Sequence, residues 1–559
     1  MKLKIFFASL LIAGSAITGL AQGYQDGIEF YKIGEYSNAK ELLNRNLNAS
    51  GTDKALSLYY LGQIELKYGK MWADNGNAAK AQQYRNNAKS LFDQGIAANP
   101  KCAYNYVGLG ALALQTGDVK GAEEQFKLAE KQSKKDSKLA TAIAREYYNV
   151  DPTAYAKQII KRIENARKWG KEDPDSFILE GDMKADASEW GDAAGMYNMA
   201  YYYDPDNIEA HVKYANTYFK VNPAFAIKDL EDLLAKVPNS ALVQRQLADK
   251  YYEDNQGRKA LDMYGKLLAN PNHFGQDELR YAQLLFIDGR YGEALDVVKA
   301  LDAKSSDDSS DKFIANRLAL YSLVRLERFD EGILTGKKFF SLRANDPTEY
   351  NENDYTYYCD ALNGAGRGAE AITTLENAAN IYPDNPNFKR SLAKACYQKD
   401  DYYKAIEYYQ VVAESPNKTI NDLYQIGQCY FLHSLNDGID DATKSSDLNN
   451  GLTWVNKALV ENPDQIAVQQ LKGRLLKSRD GSASDEALAV FQKVVALADK
   501  AVAEGGDKTR YDSYYRNAYN YIGLYYLSKG DKANAKMYLQ KQLEHDPNNT
   551  NLQEHINTL

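Results

Sequence analysis

Side chains that could perform chemistry are sparse in this sequence, and their spacing matches no catalytic site. The five histidines are scattered and form no HExxH zinc motif; they are His211, His273, His433, His545 and His555. Gly108 and Gly110 begin a loose GxGxxA pattern, which binds a dinucleotide only when it follows a strand and opens a helix. No strand is predicted before it. The sequence therefore predicts no catalytic residues, no cofactor and no metal site.

Two further features are candidates for metal binding, and both favour a structural interpretation. The four cysteines lack the spacing of a zinc site and are predicted to be small buried residues; they are Cys102, Cys359, Cys396 and Cys429. An oxidising compartment would permit one disulfide, but the sequence does not pair them. The acidic stretch Asn436–Asp441 lacks the glutamate of a calcium-binding EF-hand, so a solvated loop is predicted.

The chain is organised around elements like the stretch from Pro174 to Asn207. Apolar residues recur at helical spacing over 177–187 and 192–202, with a short turn between them. Gly181 and Ala193 are small where two antiparallel helices would meet, and Pro205 follows the second helix as a stop signal. One such hairpin cannot bury both of its faces. The pattern therefore predicts that neighbouring hairpins stack on it.

Copies of this hairpin recur along nearly the whole chain. The last copy places Gly523, Ala535 and Pro547 in the same frame, and another places Ala248 and Ala260 there. These residues resemble the tetratricopeptide repeat, a helix–turn–helix unit of about 34 residues. The resemblance implies an all-α fold, a right-handed α-solenoid of about 13–14 helical hairpins with no sheet.

The chain start has the features of a bacterial secretory signal peptide. Lys2 and Lys4 precede an apolar run, and Gly19-Leu20-Ala21 forms a small-residue cleavage site before Gln22. Irregular stretches then suggest a division of the repeats. The predicted segments are a signal peptide (1–21), an N-terminal array (22–303), a central and C-terminal array (312–503), and a terminal hairpin with a capping segment (511–559).

The net charge and the mean hydropathy restrict the classes of partner that the chain is expected to bind. Without Lys2 and Lys4, the basic residues fall from 68 to 66 against 76 acidic ones, a net charge of −10. An acidic chain argues against nucleic acid as the main partner. The mean hydropathy of −0.58 excludes a polytopic membrane protein, so no direct membrane insertion is predicted. The expected location is the periplasm or the inner face of the outer membrane.

The resemblance also places a binding surface. In such arrays the first helix of each hairpin lines a concave groove, and one position of that helix points into it. Here aromatic residues occupy that position in five hairpins: Phe219, Tyr252, Phe286, Tyr397 and Phe431. Arginines occupy a second groove position: Arg245, Arg317 and Arg390. Aromatic rings with guanidinium groups suit an extended peptide or a partner helix. The alternative is that the aromatics pack between neighbouring helices, because a one-residue shift of frame would bury them.

The resemblance and the absence of catalytic motifs together predict a non-enzymatic protein-binding scaffold of the Gram-negative cell envelope. Its partners would be envelope or outer-membrane proteins, which the sequence does not identify. The alternative function is a glycan- or peptidoglycan-binding solenoid, because the chain has 44 tyrosines and tyrosine rings can stack on sugars. The lysine and asparagine pattern that grips a peptide C-terminus is not clearly reproduced, which disfavours a chaperone adaptor.

Overall fold

The computed structural model describes residues 16–306 and 309–559, with side chains from residue 23 onward. Over these residues the regular structure consists of α-helices and two 3-10 helices, Pro347–Glu349 and Lys508–Tyr511, without a strand. Most of the predicted signal peptide, residues 1–15, lies outside the described residues. Its end does not, because the first helix begins at Ala16.

The α-helices up to residue 325 are α1 (Ala16–Lys32), α2 (Tyr36–Asn46), α3 (Lys54–Asp74), α4 (Ala78–Ala98), α5 (Ala103–Gln115), α6 (Val119–Gln132), α7 (Ser137–Val150), α8 (Ala156–Trp169), α9 (Pro174–Asp186), α10 (Trp190–Tyr203), α11 (Ile208–Tyr218), α12 (Pro223–Lys236), α13 (Ala241–Glu253), α14 (Gly257–Leu268), α15 (Gly275–Ile287), α16 (Tyr291–Lys304) and α17 (Ser310–Arg325). The remaining helices are α18 (Phe329–Leu342), α19 (Glu352–Gly364), α20 (Gly368–Ile381), α21 (Pro386–Tyr397), α22 (Tyr402–Ala413), α23 (Ile420–His433), α24 (Asp441–Glu461), α25 (Ile466–Asp480), α26 (Asp485–Ala503), α27 (Asp512–Ser528), α28 (Lys532–Glu544) and α29 (Thr550–Thr558).

Within each unit, successive helices pair into hairpins, each packed on the next along the chain. The described residues form eight such pairs from α1 to α16 and five from α19 to α28, which α29 follows. This final helix packs through Leu552 and Ile556 against Leu539 of α28. The prediction of an all-α solenoid of hairpins is confirmed.

The hairpin formed by α9 and α10 shows why small residues recur in the frame. Gly181 of α9 faces the ring of Tyr197 on α10, and a Cβ atom at residue 181 would lie 2.5 Å from the Cε1 atom of that ring. Any larger residue would force the helices apart. Pro174 starts α9 at a position where its missing N–H costs nothing. Ser188, at a φ of +62°, makes the turn before α10, so the turn lies slightly earlier than the sequence predicts.

Two stretches that exceed the length of the standard hairpin extend its helices. The extra residues in the second hairpin, around 71–85, lengthen both α3 and α4 to 21 residues. Most of the polar stretch 436–450 belongs to α24, whose first turn is capped by Asp440 through the backbone N–H of Thr443 at 2.9 Å. Part of the acidic stretch considered for cation binding is therefore a helix cap.

The chain divides into two compact units. One ends at Leu318 and the other comprises Ala319–Leu559. The largest core cluster of the first unit joins α1–α3 to residues of α11–α16, and that of the second unit covers α23–α27. Among the described helices, none combines the length and apolar character that a membrane span requires.

Candidate functional site

The first hairpin of the first unit packs against residues more than 200 positions later. Phe30 of α1 is fully buried and meets Phe274 edge to face, with ring centroids 5.4 Å apart. Glu35, at the turn before α2, accepts hydrogen bonds from Arg245 at 3.0 Å and Gln246 at 3.1 Å, both on α13. The first unit therefore closes on itself.

Further polar contacts reinforce this closure. The amide of Asn272 donates to the Asp26 carboxylate at 2.8 Å, and both side chains are buried. Lys32 of α1 lies 3.9 Å from Glu209 of α11. Because buried polar groups are stable only when they are paired, these contacts fix one register of closure.

A half-enclosed chamber of about 120 Å³ remains where the first helices of successive hairpins face one another. Its tyrosines come from α1 to α5: Tyr31, Tyr36, Tyr59, Tyr60 and Tyr104. Their rings are in contact, with centroids 5.0 Å apart for Tyr31 and Tyr60 and 5.4 Å for Tyr59 and Tyr104. This wall is apolar on the ring faces and polar at the hydroxyl tips.

Charged groups from α1 to α11 complete the lining. The cations are Lys32, Lys67, Lys138 and Arg145, and the anions are Glu146, Asp175 and Glu209. Burial raises the pKa of Glu146 to about 7, against the opposing effect of Lys67 and Arg145. Burial also lowers the pKa of Lys67, which donates to Asn149 at 2.9 Å. At neutral pH the chamber thus holds a carboxyl group that is near its own titration point.

Several of these charges are held by a chain of ion pairs. Asp182 accepts hydrogen bonds from Arg145 at 2.6 Å and from Lys213 at 2.7 Å, and Lys213 lies 2.9 Å from Glu209. Burial alone would raise the pKa of Asp182, but Lys213 and Arg145 hold it below its usual value. The lining therefore carries charges of both signs, and Arg145 and Glu209 are fixed in position by these pairs.

The predicted groove aromatics of the first unit lie near the ends of three first helices. Phe219 is partly buried, and the Lys250 ammonium sits 4.6 Å from its ring centroid. Tyr252 is 41% exposed and lies under the guanidinium of Arg280, 5.2 Å from the ring centroid. Phe286 packs edge to face against Tyr291 at 5.1 Å. Of the three, Tyr252 offers the most accessible ring.

The predicted groove arginines of the first unit make intramolecular contacts. Arg245 is only 8% exposed and forms ion pairs with Glu35 at 3.0 Å and Asp277 at 2.9 Å. The guanidinium of Arg317 lies 4.8 Å from the ring centroid of Phe313. A partner that used Arg245 would have to displace these contacts, and the binding role of both arginines stays a prediction.

The candidates in the second unit differ in accessibility. Arg390 pairs with both carboxylate oxygens of Asp422 at 2.9 Å. Phe431 is buried with the Arg474 guanidinium 4.4 Å from its ring centroid, as expected if it packs between helices. Tyr397 is partly buried and packs against Tyr402, with ring centroids 5.8 Å apart. The structure does not present these three as one exposed stripe.

The chamber was not found from the sequence, although a periodic signal for it exists. The residue six positions before the small helix-crossing residue lines the chamber in four consecutive hairpins; these residues are Tyr104, Lys138, Asp175 and Glu209. The groove residues predicted from the sequence occupy other positions of the frame, where aromatic residues or arginines recur. Because this position holds a different residue type in each hairpin, the sequence does not show that the four residues line one chamber.

The glycine pattern on α5 serves helix packing. A Cβ atom at Gly108 would lie 2.3 Å from the ring of Phe92, and one at Gly110 would lie 2.3 Å from the ring of Phe126. Both glycines thus admit an aromatic ring from a second helix, and neither sits in a phosphate-binding turn. Among the described residues no cluster of three or more metal-binding side chains occurs. The cysteines are free thiols, and all but Cys102 are buried.

Two segments of the chain, residues 73–137 and 360–418, match the sequence profile of the tetratricopeptide repeat. No curated protein matches the chain. Three solved structures illustrate the similarity. The C-terminal part of a TPR repeat-containing protein from Cytophaga hutchinsonii is 21% identical, with a TM-score of 0.42, covering 49% of this chain and 98% of that one. Yeast Tom70 is 13% identical, with a TM-score of 0.30, covering 85% and 92%. YrrB, described as a TPR protein with an unusual peptide-binding site, is 16% identical, with a TM-score of 0.29, covering 39% and 98%.

Proposed function

We propose that this chain, an all-α tetratricopeptide-repeat solenoid, is a non-enzymatic protein-binding scaffold of a Gram-negative cell envelope. Repeats of this family generally act in protein interaction, and solenoids present extended concave surfaces for it. The envelope location is supported by the lysines, apolar run and small-residue site at the chain start.

One observation indicates which surface of the first unit binds the partner. Tyr252 is 41% exposed beneath the guanidinium of Arg280, and Ile287, about two helical turns after Arg280 on α15, is 72% exposed. Arg280 forms no ion pair with a carboxylate among the described residues, and it donates a hydrogen bond to Gln283 at 3.3 Å. Arg280 itself is partly buried. Aromatic and arginine side chains are the types that dominate protein–protein hot spots.

The unpaired guanidinium indicates the chemistry of the partner. A carboxylate from an acidic segment could pair with Arg280 while a neighbouring apolar residue covers Tyr252 and Ile287. Arg245 does not belong to this contact set, because its charge is already neutralised within the chain. The proposed partner is therefore an acidic, extended segment of an envelope protein.

The test is a pull-down from crosslinked envelopes with Tyr252→Ala and Arg280→Ala. Tyr202→Ala is the matched control, because Tyr202 is a 71% exposed tyrosine on the second helix α10. We expect both variants to melt like the wild type and to lose a partner that the control retains. Normal melting with every partner retained would refute this surface. Early melting of both variants would show that these residues support the fold, and would equally remove the surface from consideration.

A further inference from the structure

The chamber of the first unit has properties that the proposed scaffold function does not use. The hydroxyl groups of four lining tyrosines have no hydrogen-bond partner among the described residues; they are Tyr31, Tyr36, Tyr60 and Tyr104. The Thr141 hydroxyl, on a residue only 2% exposed, also has none within that part of the chain. A buried polar group is normally paired, so the Thr141 hydroxyl points to a ligand or to water in the chamber. The four tyrosine hydroxyls lie on partly buried residues and are available to bind the same ligand.

The lining can both donate and accept hydrogen bonds. Lys138 forms no ion pair, and Asp175 accepts no hydrogen bond, over the described residues. Arg145 and Glu209 also line the chamber but are held by Asp182 and Lys213. A simple anion would leave the Asp175 carboxylate unpaired, and a simple cation would leave the Lys138 ammonium group unpaired. The presence of both charges favours a neutral ligand that carries several hydroxyl groups, each of which donates and accepts.

The aromatic wall narrows the ligand further. The rings of Tyr31, Tyr59, Tyr60 and Tyr104 form one connected surface with negative ring faces. The C–H groups on one face of a pyranose ring carry partial positive charge and can pack on such a surface. The hydroxyls at the rim of the sugar would then reach the planar carboxylate, guanidinium and amide groups around it.

The volume of the chamber sets an upper limit on the size of the ligand. Its volume of about 120 Å³ is below the roughly 300–1,000 Å³ of pockets for drug-sized ligands. It therefore suits one sugar ring and not an oligosaccharide. From these observations we propose that the chamber formed by α1, α3, α5, α7, α9 and α11 binds a single pyranose residue, free or at the end of a glycan.

Saturation-transfer NMR on the full-length mature protein tests this proposal. The probes are the neutral sugars glucose, galactose, mannose and N-acetylglucosamine, with inorganic phosphate and glycine as an anion and a zwitterion. We expect transfer to the ring protons of at least one sugar, and affinity for that sugar to fall about three- to tenfold in Tyr60→Phe, which retains the ring and loses one hydroxyl. Ala142→Leu, which narrows the chamber, should abolish binding.

Tyr202→Phe supplies the matched control, because it removes an exposed hydroxyl outside the chamber. Thermal melting of each variant shows whether the fold is intact, and Tyr60→Phe keeps the packing of the wild-type ring. The proposal is overturned if none of the four sugars receives saturation, if phosphate or glycine alone binds, or if Tyr60→Phe and Ala142→Leu bind like the wild type. The proposed scaffold surface uses Tyr252 and Arg280, so failure of one proposal leaves the other intact.

Discussion

Replacing Arg245 with alanine should destabilise the first unit strongly. The guanidinium is 8% exposed and lies between Glu35 at 3.0 Å and Asp277 at 2.9 Å. Asp277 is almost completely buried, and burial already raises its pKa while Arg245 opposes that rise. The Oδ1 atom of Asp277 receives no directed hydrogen bond although Arg245 Nε is close, so the contact is mainly electrostatic.

The size of the loss in stability follows from the carboxylates that remain when Arg245 is removed. Removing one member of a buried ion pair typically costs about 3–5 kcal/mol, because the other charge stays buried without a partner. Asp277 keeps one compensating contact, the backbone N–H of Phe274 at 2.8 Å, which places the expected loss near the lower end of that range. Glu35 is partly exposed and can be solvated by water, so it adds little.

Urea unfolding of the purified protein measures this loss. We expect the free energy of unfolding of Arg245→Ala to fall by about 3 kcal/mol. The control is Lys228→Ala, which removes an exposed pair with Asp232 and should leave the midpoint unchanged. A loss in Arg245→Ala no larger than that of the control would refute the view that the buried pair of Arg245 and Asp277 stabilises the first unit.

Three further predictions concern the frame, the chamber and the chain start. Gly181→Leu should lower the free energy of unfolding by roughly 1–3 kcal/mol or more, because a Cβ atom at residue 181 would lie 2.5 Å from Tyr197. The control Gly191→Ala should not lower it, because a Cβ atom there has no atom within 4 Å. Equal melting of the two variants would contradict the predicted repeat frame. Burial raises the pKa of Glu146 to about 7, so as the pH rises from about 4.5 to 7 the unfolded state loses this proton before the folded state does, and the free energy of unfolding should fall. Glu146→Gln should remove up to about 3 kcal/mol of that fall, measured by urea titrations at several pH values. A variant with the same pH profile as the wild type would contradict this prediction. The mature protein should begin at Gln22, and mass spectrometry of envelope protein that detects intact Met1 would exclude this.

The repeat frame could be predicted from the sequence because it depends on local contacts. Gly181 and Tyr197 meet within one hairpin, and their spacing alone places them together. The loop predicted over Asn436–Asp441 is present as far as Asp440, but the lengthening of α3, α4 and α24 was not predicted. Cap signals were present, however: Asn77 before α4 and Asp440 before α24 each accept a hydrogen bond from the first turn. These caps distinguish a longer helix from a loop.

The closure of the first unit could not be predicted in the same way. The curvature of a solenoid is the sum of small rotations between successive hairpins, and no single contact determines it. Glu35 and Arg245 are 210 residues apart, and neither has a sequence signature for the other. The position of Arg245 in its hairpin indicates a groove residue, and it was predicted as one. Its intramolecular partner Glu35 could not be identified from the sequence.

Closure and the chamber depend on some of the same side chains. Lys32 contacts Glu209 across the closing contact, and both residues line the chamber. In an open solenoid each hairpin contacts only its neighbours, so a ligand would affect local stability. Here a ligand that binds only the closed form would stabilise the whole first unit by mass action. A sugar in the chamber and the contact between α1 and α11 would then reinforce each other, although neither touches the surface around Tyr252.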